Sequence, residues 1–268
     1  MTMSKQVTLG VVIPVKAPSP HLSSLIESLQ QARVQADSII IADASADTGI
    51  ESVCKLFRVK HVINAGDRSS ARNLGATLLS TSRILFLDAD MIVSRDVISE
   101  CLNCDSPVAS IVEVSVGESL LARSRRWERQ SYLNFGICIA PRLFNKSFFE
   151  QLGGYNPGVS SGEDYILSRK AEATRDRIPL LKGPILHIES DMTILNYLVK
   201  RIRYSIEFGN IPGLLSSNDG STSASSRLLC YLSHLKRDPE IPLFLFTICT
   251  KSLEFIVARS RSLLSRMP

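Results

Sequence analysis

The chain of 268 residues predicts an α/β fold, with a mostly parallel, Rossmann-like sheet carrying helices on both faces. Three observations predict it. Short apolar runs of strand length alternate with stretches of helical periodicity through the first half of the chain. Those runs are continuous, as suits strands buried on both faces. Hydrophobic residues at 44% and charged residues at 21% are the balance of a globular protein with a large core, which excludes a disordered chain.

The elements follow in order. "VTLGVVIPV" (7–15) reads as the first strand, ended by the proline-rich "KAPSP". "HLSSLIESLQQA" sets Leu22, Leu25, Ile26 and Leu29 at helical spacing. "SIIIAD" (38–43) is the second strand and "ASADTG" its turn; Thr48 with Glu51 three residues on predicts a capping box for the next helix. "HVIN" (61–64) is the third strand, and "GDRSSARNLGATLLS" passes from loop into helix. "RILFLDADMIV" (83–93) is the fourth, with Asp96 expected to cap the helix after it. Beyond it come a strand in "VASIVEVSVG" (108–117) and an arginine-dense helix in "ESLLARSRRWERQSY". "FGICIAPRLF" (135–144) reads as a strand leading to a helix, and "GGYNPGVSSGEDYILSRKAEA" as a turn-rich loop entering another. "RIPLLKGPILHI" reads as two strands broken at Gly183-Pro184, and "MTILNYLVKRIRYSIEFG" as a long helix with a basic face. Composition divides the chain into a main α/β domain (1–212), a Ser/Gly-rich linker (213–226) and an apolar, basic helical tail (227–268).

A net charge of +5 and a pI near 8.9 favour anionic partners such as nucleotides, phosphates or acidic lipid heads. Aromatics at 6%, with no basic run interleaved among them, argue against nucleic acid. Six cysteines are too sparse for a disulfide scaffold, and Cys101-Leu-Asn-Cys104 lacks the second pair or nearby histidines of a zinc site. One lysine ahead of "VTLGVVIPV" makes no secretory leader, so the expected setting is reduced and cytoplasmic. Within "IPLFLFTICTKSLEFIVA" (241–258), Pro242, Lys251 and Glu254 interrupt the span of ~20 apolar residues that a bilayer crossing needs. Basic residues alone follow, at Arg259, Arg261 and Arg266, which suits an interfacial segment docked on an anionic membrane surface, peripheral on the inner membrane face, or on a partner. The alternative is a helix packed on the core of the main domain.

Asp88 and Asp90 close the fourth strand with Ala89 between them. Side chains at i and i+2 share a face, and the carboxyl ends of parallel strands are where ligands bind in such sheets. Two carboxylates there suit Mg²⁺ or Mn²⁺, completed by substrate phosphates and water. The plain alternative is a strand-end aspartate capping the next helix.

With these residues in order, the chain resembles a family-2 glycosyltransferase of the GT-A fold over residues 7 to 209. The resemblance is carried by "VVIPV", "IIIADASADTG", "GDRSSARNLGA", "LFLDADM", "GICIAPRLFNKSFFEQLGGYNPGVSSGEDYILSRKA" and "ILHIES". It implies a metal-dependent, inverting transfer of sugar from a nucleotide-diphosphate donor to an acceptor, saccharide or lipid-linked, in glycan, polysaccharide or glycolipid synthesis. It also implies donor contacts from Pro14, Asp43, Arg72, Asn73, Asp88, Ala89 and Arg203, with Asp43 on the nucleobase. Ala44 stands where many members carry a second acid. Asp90 and His187 would hold Mn²⁺ or Mg²⁺; Asp164, beside Glu163, would take the acceptor's proton. Several of these residues also have a structural alternative: Asp43 bonding its own turn, a solvated helix start at Arg72 and Asn73, a helix-start acid at 163–164, a satisfied histidine, a solvated basic face at Arg201 and Arg203. The rival classes are a phosphatase of the haloacid dehalogenase type, which also ends a strand in D-x-D, and a non-catalytic binding module at a membrane. A nicotinamide dehydrogenase fits worse, since no G-x-G-x-x-G follows the first strand.

Overall fold

The continuous apolar runs form the centre of an eight-stranded sheet in a computed structural model, which describes residues 7–64, 66–137, 139–159, 161–174, 177–190, 193–209 and 223–264. β1 (Leu9–Val15), β2 (Ile39–Asp43), β3 (Lys60–Ile63) and β4 (Arg83–Phe86) run parallel in the order β3-β2-β1-β4. Alternate residues of each strand serve opposite layers. Val11, Ile13, Ile39 and Ile41 pack under α1 (Leu22–Gln31) and α2 (Thr48–Phe57), with Leu25, Ile26, Leu29, Ile50 and Cys54. Val12, Ile40, Ile84 and Phe86 pack with Ala76 of α3 (Arg68–Leu78) and Leu167 and Ala171 of α7 (Glu163–Glu172). Burial on both sides is why these runs carry no alternation.

The second half of the sheet is mixed. β7 (Pro141–Asn145) lies antiparallel between β4 and β6 (Val108–Val116), and the two-residue β5 (Met91–Ile92) pairs antiparallel with β8 (Leu180–Ile188). The remaining helices are α4 (Arg95–Asn103), α5 (Leu120–Leu133), α6 (Lys146–Gln151), α8 (Ile194–Gly209), α9 (Ala224–Leu235) and α10 (Ile241–Leu264).

Four local expectations are corrected. "RIPLLKGPILHI" is one strand, not two: Glu100 of α4 accepts from the Lys182 and Gly183 amides, and Gly183 fits where a Cβ would lie 3.2 Å from the Val97 backbone. In the 135–144 stretch, the strand begins only at Pro141. α2 is capped by Asp47, whose carboxylate accepts from the Gly49 amide at 2.7 Å, so Thr48 is already helical. α4 is capped by Ser94, and Asp96 sits in its first turn.

The chain forms two compact units, Met1–Glu113 with Ala140–His187, and Val114–Ile139 with Ile188–Pro268. In the second, α5, α8, α9 and α10 pack around Trp127, Tyr132, Cys230, Tyr231 and Leu243. Of the stretch 213–226, residues through 222 lie outside the described residues, Ser223 caps α9, and 224–226 begin that helix. Among the described residues, no helix is long and apolar enough to cross a membrane.

Candidate active site

The strand order reverses direction between β1 and β4, so the loops leaving these neighbours diverge and leave a crevice at their carboxyl ends. At the ends of β1 and β2, Pro14 pairs with Ala42 and Val15 with Asp43, and Asp88, Ala89 and Asp90 follow β4. The Ser19 hydroxyl donates to the Ala89 carbonyl at 3.3 Å, joining the two loops that leave β1 and β4. The carboxylate of Asp43 is fully engaged. It accepts from the Ser45 amide (2.8 Å), the Ser45 hydroxyl (2.7 Å) and the Ala46 amide (3.2 Å), and its second oxygen lies 3.1 Å from His61 Nε2. Burial would raise its pKa, but the Ser45 and His61 contacts together lower it.

From Asp88 a chain of ion pairs runs both ways, buried at Arg72 and Glu163 and partly exposed elsewhere. Arg72 of α3, only 4% exposed, donates to Asp88 Oδ1 at 2.9 Å and to Glu163 Oε1 at 3.0 Å, with its guanidinium 4.9 Å above the Tyr155 ring. Arg68 lies 3.5 Å from the same glutamate. On the other side, Arg142 of β7 donates to Asp88 Oδ2 at 3.2 Å and to Glu113 of β6. Glu113 Oε2 stands 3.6 Å from His187 Nδ1, and His187 Nε2 is 3.2 Å from Asp90 Oδ1. The pairing of β5 with β8, Met91 opposite His187, brings that histidine to Asp90.

The electrostatics follow from this chain. Burial would raise the Asp88 pKa, but Arg142 and Arg72 outweigh it and hold the carboxyl well below the usual range. Glu163 is shifted the other way: burial, then the nearby Asp164, push it up against Arg72 and Arg68. Asp164 differs from its neighbour in being exposed, with Oδ1 accepting from the Tyr165 amide at 2.8 Å. Gly162, at φ +81°, makes the left-handed turn that opens α7 and sets one acid inward and the next outward.

One face of α3 holds the loop that precedes α7. Asp67 caps α3 through the Ser70 amide (2.7 Å) and also accepts from the Gly158 amide. The Ser69 hydroxyl donates to the Val159 carbonyl at 2.9 Å. The Asn73 amide is bidentate on the backbone of Tyr155, at 2.8 and 2.9 Å. Thus "GDRSSARN" clamps the loop with three side chains and inserts Arg72 between Asp88 and Glu163.

The structure brings Arg72, Asp88, Asp90, His187, Glu163 and Asp164 into one connected arrangement within the first unit. Asn73 is used on the loop, as Asp43 is on its own turn and His61. Arg203 lies on α8 in the second unit, 5.6 Å from the Tyr204 ring centre, and Arg201 is bidentate on Glu254. Sequence reasoning missed Arg142, Glu113, Arg68, Tyr155 and His61. Glu113 and Arg142 did carry a signal: a lone charge in a strand of apolar neighbours needs a partner of opposite sign.

Among the described residues, no group of three His, Cys, Asp or Glu side chains is arranged to hold a metal by itself. Asp90 and His187 nonetheless fit as a two-residue seat, because their donor atoms lie 3.2 Å apart and both side chains are partly exposed. An oxygen and an imidazole nitrogen suit Mn²⁺, with phosphate oxygens and water completing the shell. The charge balance fits as well: Asp88, Glu113 and Glu163 face the guanidiniums of Arg68, Arg72 and Arg142, and Asp90 faces His187.

The sequence model of glycosyl transferase family 2 matches residues 10–153, more than half of the chain. The chain belongs to that family. It is 30% identical over 179 residues to the pre-mycofactocin glycosyltransferase of Mycobacterium tuberculosis, in strains CDC 1551 / Oshkosh and ATCC 25618 / H37Rv. That match takes in 58% of this chain and 37% of the relative, so the chain spans little more than a third of the curated relatives it matches. Among solved structures it is similar to the mannosyltransferase PcManGT from Pyrobaculum calidifontis, in complex with GDP-Man and Mn²⁺. There the identity is 13% and the TM-score 0.61, over 98% of this chain and 89% of the other. S. aureus TarS 1-349 in complex with UDP gives 15% identity and a TM-score of 0.52, over 77% of this chain and 67% of that one. These likenesses show the GT-A fold. The family assignment removes the phosphatase alternative.

Proposed function

We propose that the chain is a metal-dependent, inverting glycosyltransferase that moves a sugar from a nucleotide-diphosphate donor to an acceptor hydroxyl. One observation carries the reading. Arg72 locks Glu163 to Asp88, and the adjacent Asp164 is left exposed at the start of α7. An exposed carboxylate held at a rigid helix start is placed to act on an incoming acceptor, and its neighbour is already committed to an ion pair.

In the proposed step, the acceptor oxygen attacks the anomeric carbon while its proton passes to Asp164. The bond from that carbon to the donor diphosphate breaks on the opposite face, and the sugar is inverted. Arg72 and Arg142 fix Asp88 at the strand end, where it meets the donor. Asp90 and His187 would hold a divalent metal, which when bound supplies positive charge to the departing diphosphate. Ligands named in the solved neighbours, UDP in one and GDP-Man with Mn²⁺ in another, support a donor of this class. The non-catalytic alternative is disfavoured because neither Asp90 nor Asp164 is lost.

The test is Asp164→Asn. The amide keeps the size of the carboxylate but cannot take a proton, so turnover should fall by about 10²–10⁴-fold with donor affinity unchanged. Undiminished turnover would assign the proton to another group.

A further inference from the structure

Helix α10 is packed inside out. Its inward row is Leu243, Thr247, Thr250 and Glu254, all buried, and its outward row is Ile241, Leu245, Cys249 and Leu253, all exposed. Spacings of three and four residues place each row on one face of a helix. The inward polar groups are matched by partners from the other helices of the same unit. Glu128 of α5 accepts from Lys251 at 2.9 Å, Tyr132 at 2.9 Å and Tyr231 at 3.1 Å, and also pairs with Arg125. Glu254 takes Arg201 of α8 at 3.0 and 3.1 Å. Charged groups thus join the aromatic cluster around Trp127 inside this unit, while a row of apolar residues is left on the surface of α10. α9 carries exposed apolar residues of its own, Leu228, Leu229 and Leu232, beside an apolar groove lined by Leu229, Leu232, Ser233, Leu235 and Lys236.

The charge on this unit says what the face meets. The first unit holds 17 Lys and Arg against 17 Asp and Glu, and the second 14 against 9, so all of the net +5 lies in the second. Lys236 and Arg237 are exposed at the end of α9, directly before the α10 row. Of the acids of that turn, Glu240 is 3.8 Å from Arg123, while Asp238 lies 3.7 Å from His234, an imidazole that burial holds toward its neutral form.

We infer that the outward faces of α9 and α10 dock on the surface of a bilayer containing anionic lipid. The leucine and isoleucine rows enter the boundary between headgroups and acyl chains, and the cations beside them meet the headgroup phosphates. A second copy fits less well, since a self-complementary contact would gather two sets of these cations in one interface with no added acids to offset them. No sugar transfer is needed for this docking, so it stands or falls independently of the proposed reaction.

The experiment is co-sedimentation of the full chain with vesicles of phosphatidylcholine, with and without phosphatidylglycerol. Vesicles containing phosphatidylglycerol should bind the chain, pure phosphatidylcholine should bind it far less, and raised salt should release it. Leu229→Glu and Leu245→Glu replace side chains that are 63% and 53% exposed, so the melting temperature should stay unchanged. Each should cut the ratio of bound to free protein roughly tenfold. A wild-type chain that stays in the supernatant, or variants that bind as well as it does, would overturn the inference. So would a concentration-dependent dimer, seen by light scattering, that the same substitutions dissolve, because the face would then belong to a second copy.

Discussion

Asp164 and Glu163 are neighbours in sequence with opposite fates, and substitution should separate them. Glu163→Gln removes one of the two carboxylates that Arg72 is buried against, at 3.0 Å, and leaves Asp88 at 2.9 Å. The expected cost is about 1–3 kcal/mol of stability, measured by urea denaturation, whereas Asp164→Asn should leave the midpoint in place. Asp88 gives a second prediction through pH. Its carboxyl lies well below the ordinary range when folded, so its stabilisation is complete above the unfolded value of about 4 and is lost as pH falls below that. The melting temperature of wild type minus that of Asp88→Asn should therefore be largest near neutrality and shrink below about pH 4. The acids of this site were legible because carboxylates at a strand end and at a helix start stand out against apolar neighbours. The guanidiniums that organise them were less so: Arg142 lies 54 residues from Asp88, and only the antiparallel pairing of β4 with β7 brings them together.

At the level of elements, α3 joins the core to the site. Asn73→Ala would remove both bonds to Tyr155 and leave its backbone groups without those partners, at an expected cost of about 1–3 kcal/mol. Gly75→Ala would place a Cβ 2.4 Å from Val12 Cγ1 on β1, and Val12 is a stiff, fully buried side chain. Overpacking of that kind costs about 1–3 kcal/mol, again read from the urea midpoint. The alternation of β1 through β4 with their helices was legible because each strand is a run of apolar residues bounded by turn residues. β8 was not, because Gly183-Pro184 reads locally as a break. Its glycine is set by the approach of α4, and no local pattern carries that.

At the level of the whole molecule, the second unit was the least legible part. Lys251 and Glu254 read as interruptions of an apolar tail, yet both turn inward onto partners from α5 and α8. Glu128→Ala should leave Lys251 and Arg125 buried without it and destabilise the chain by about 3–5 kcal/mol, seen as a lowered urea midpoint. Under the proposed function, a donor nucleotide sugar would bind in the first unit with a divalent metal held by Asp90 and His187. The most direct measurement is the thermal shift of wild type and Asp90→Ala across a panel of nucleotide-diphosphate sugars, with and without Mn²⁺. The account predicts that at least one donor raises the wild-type melting temperature only when Mn²⁺ is present, and that Asp90→Ala, equally folded without ligand, shows no such rise. An equal shift in Asp90→Ala, or a wild type indifferent to every nucleotide sugar but stabilised by a nicotinamide dinucleotide, would contradict it.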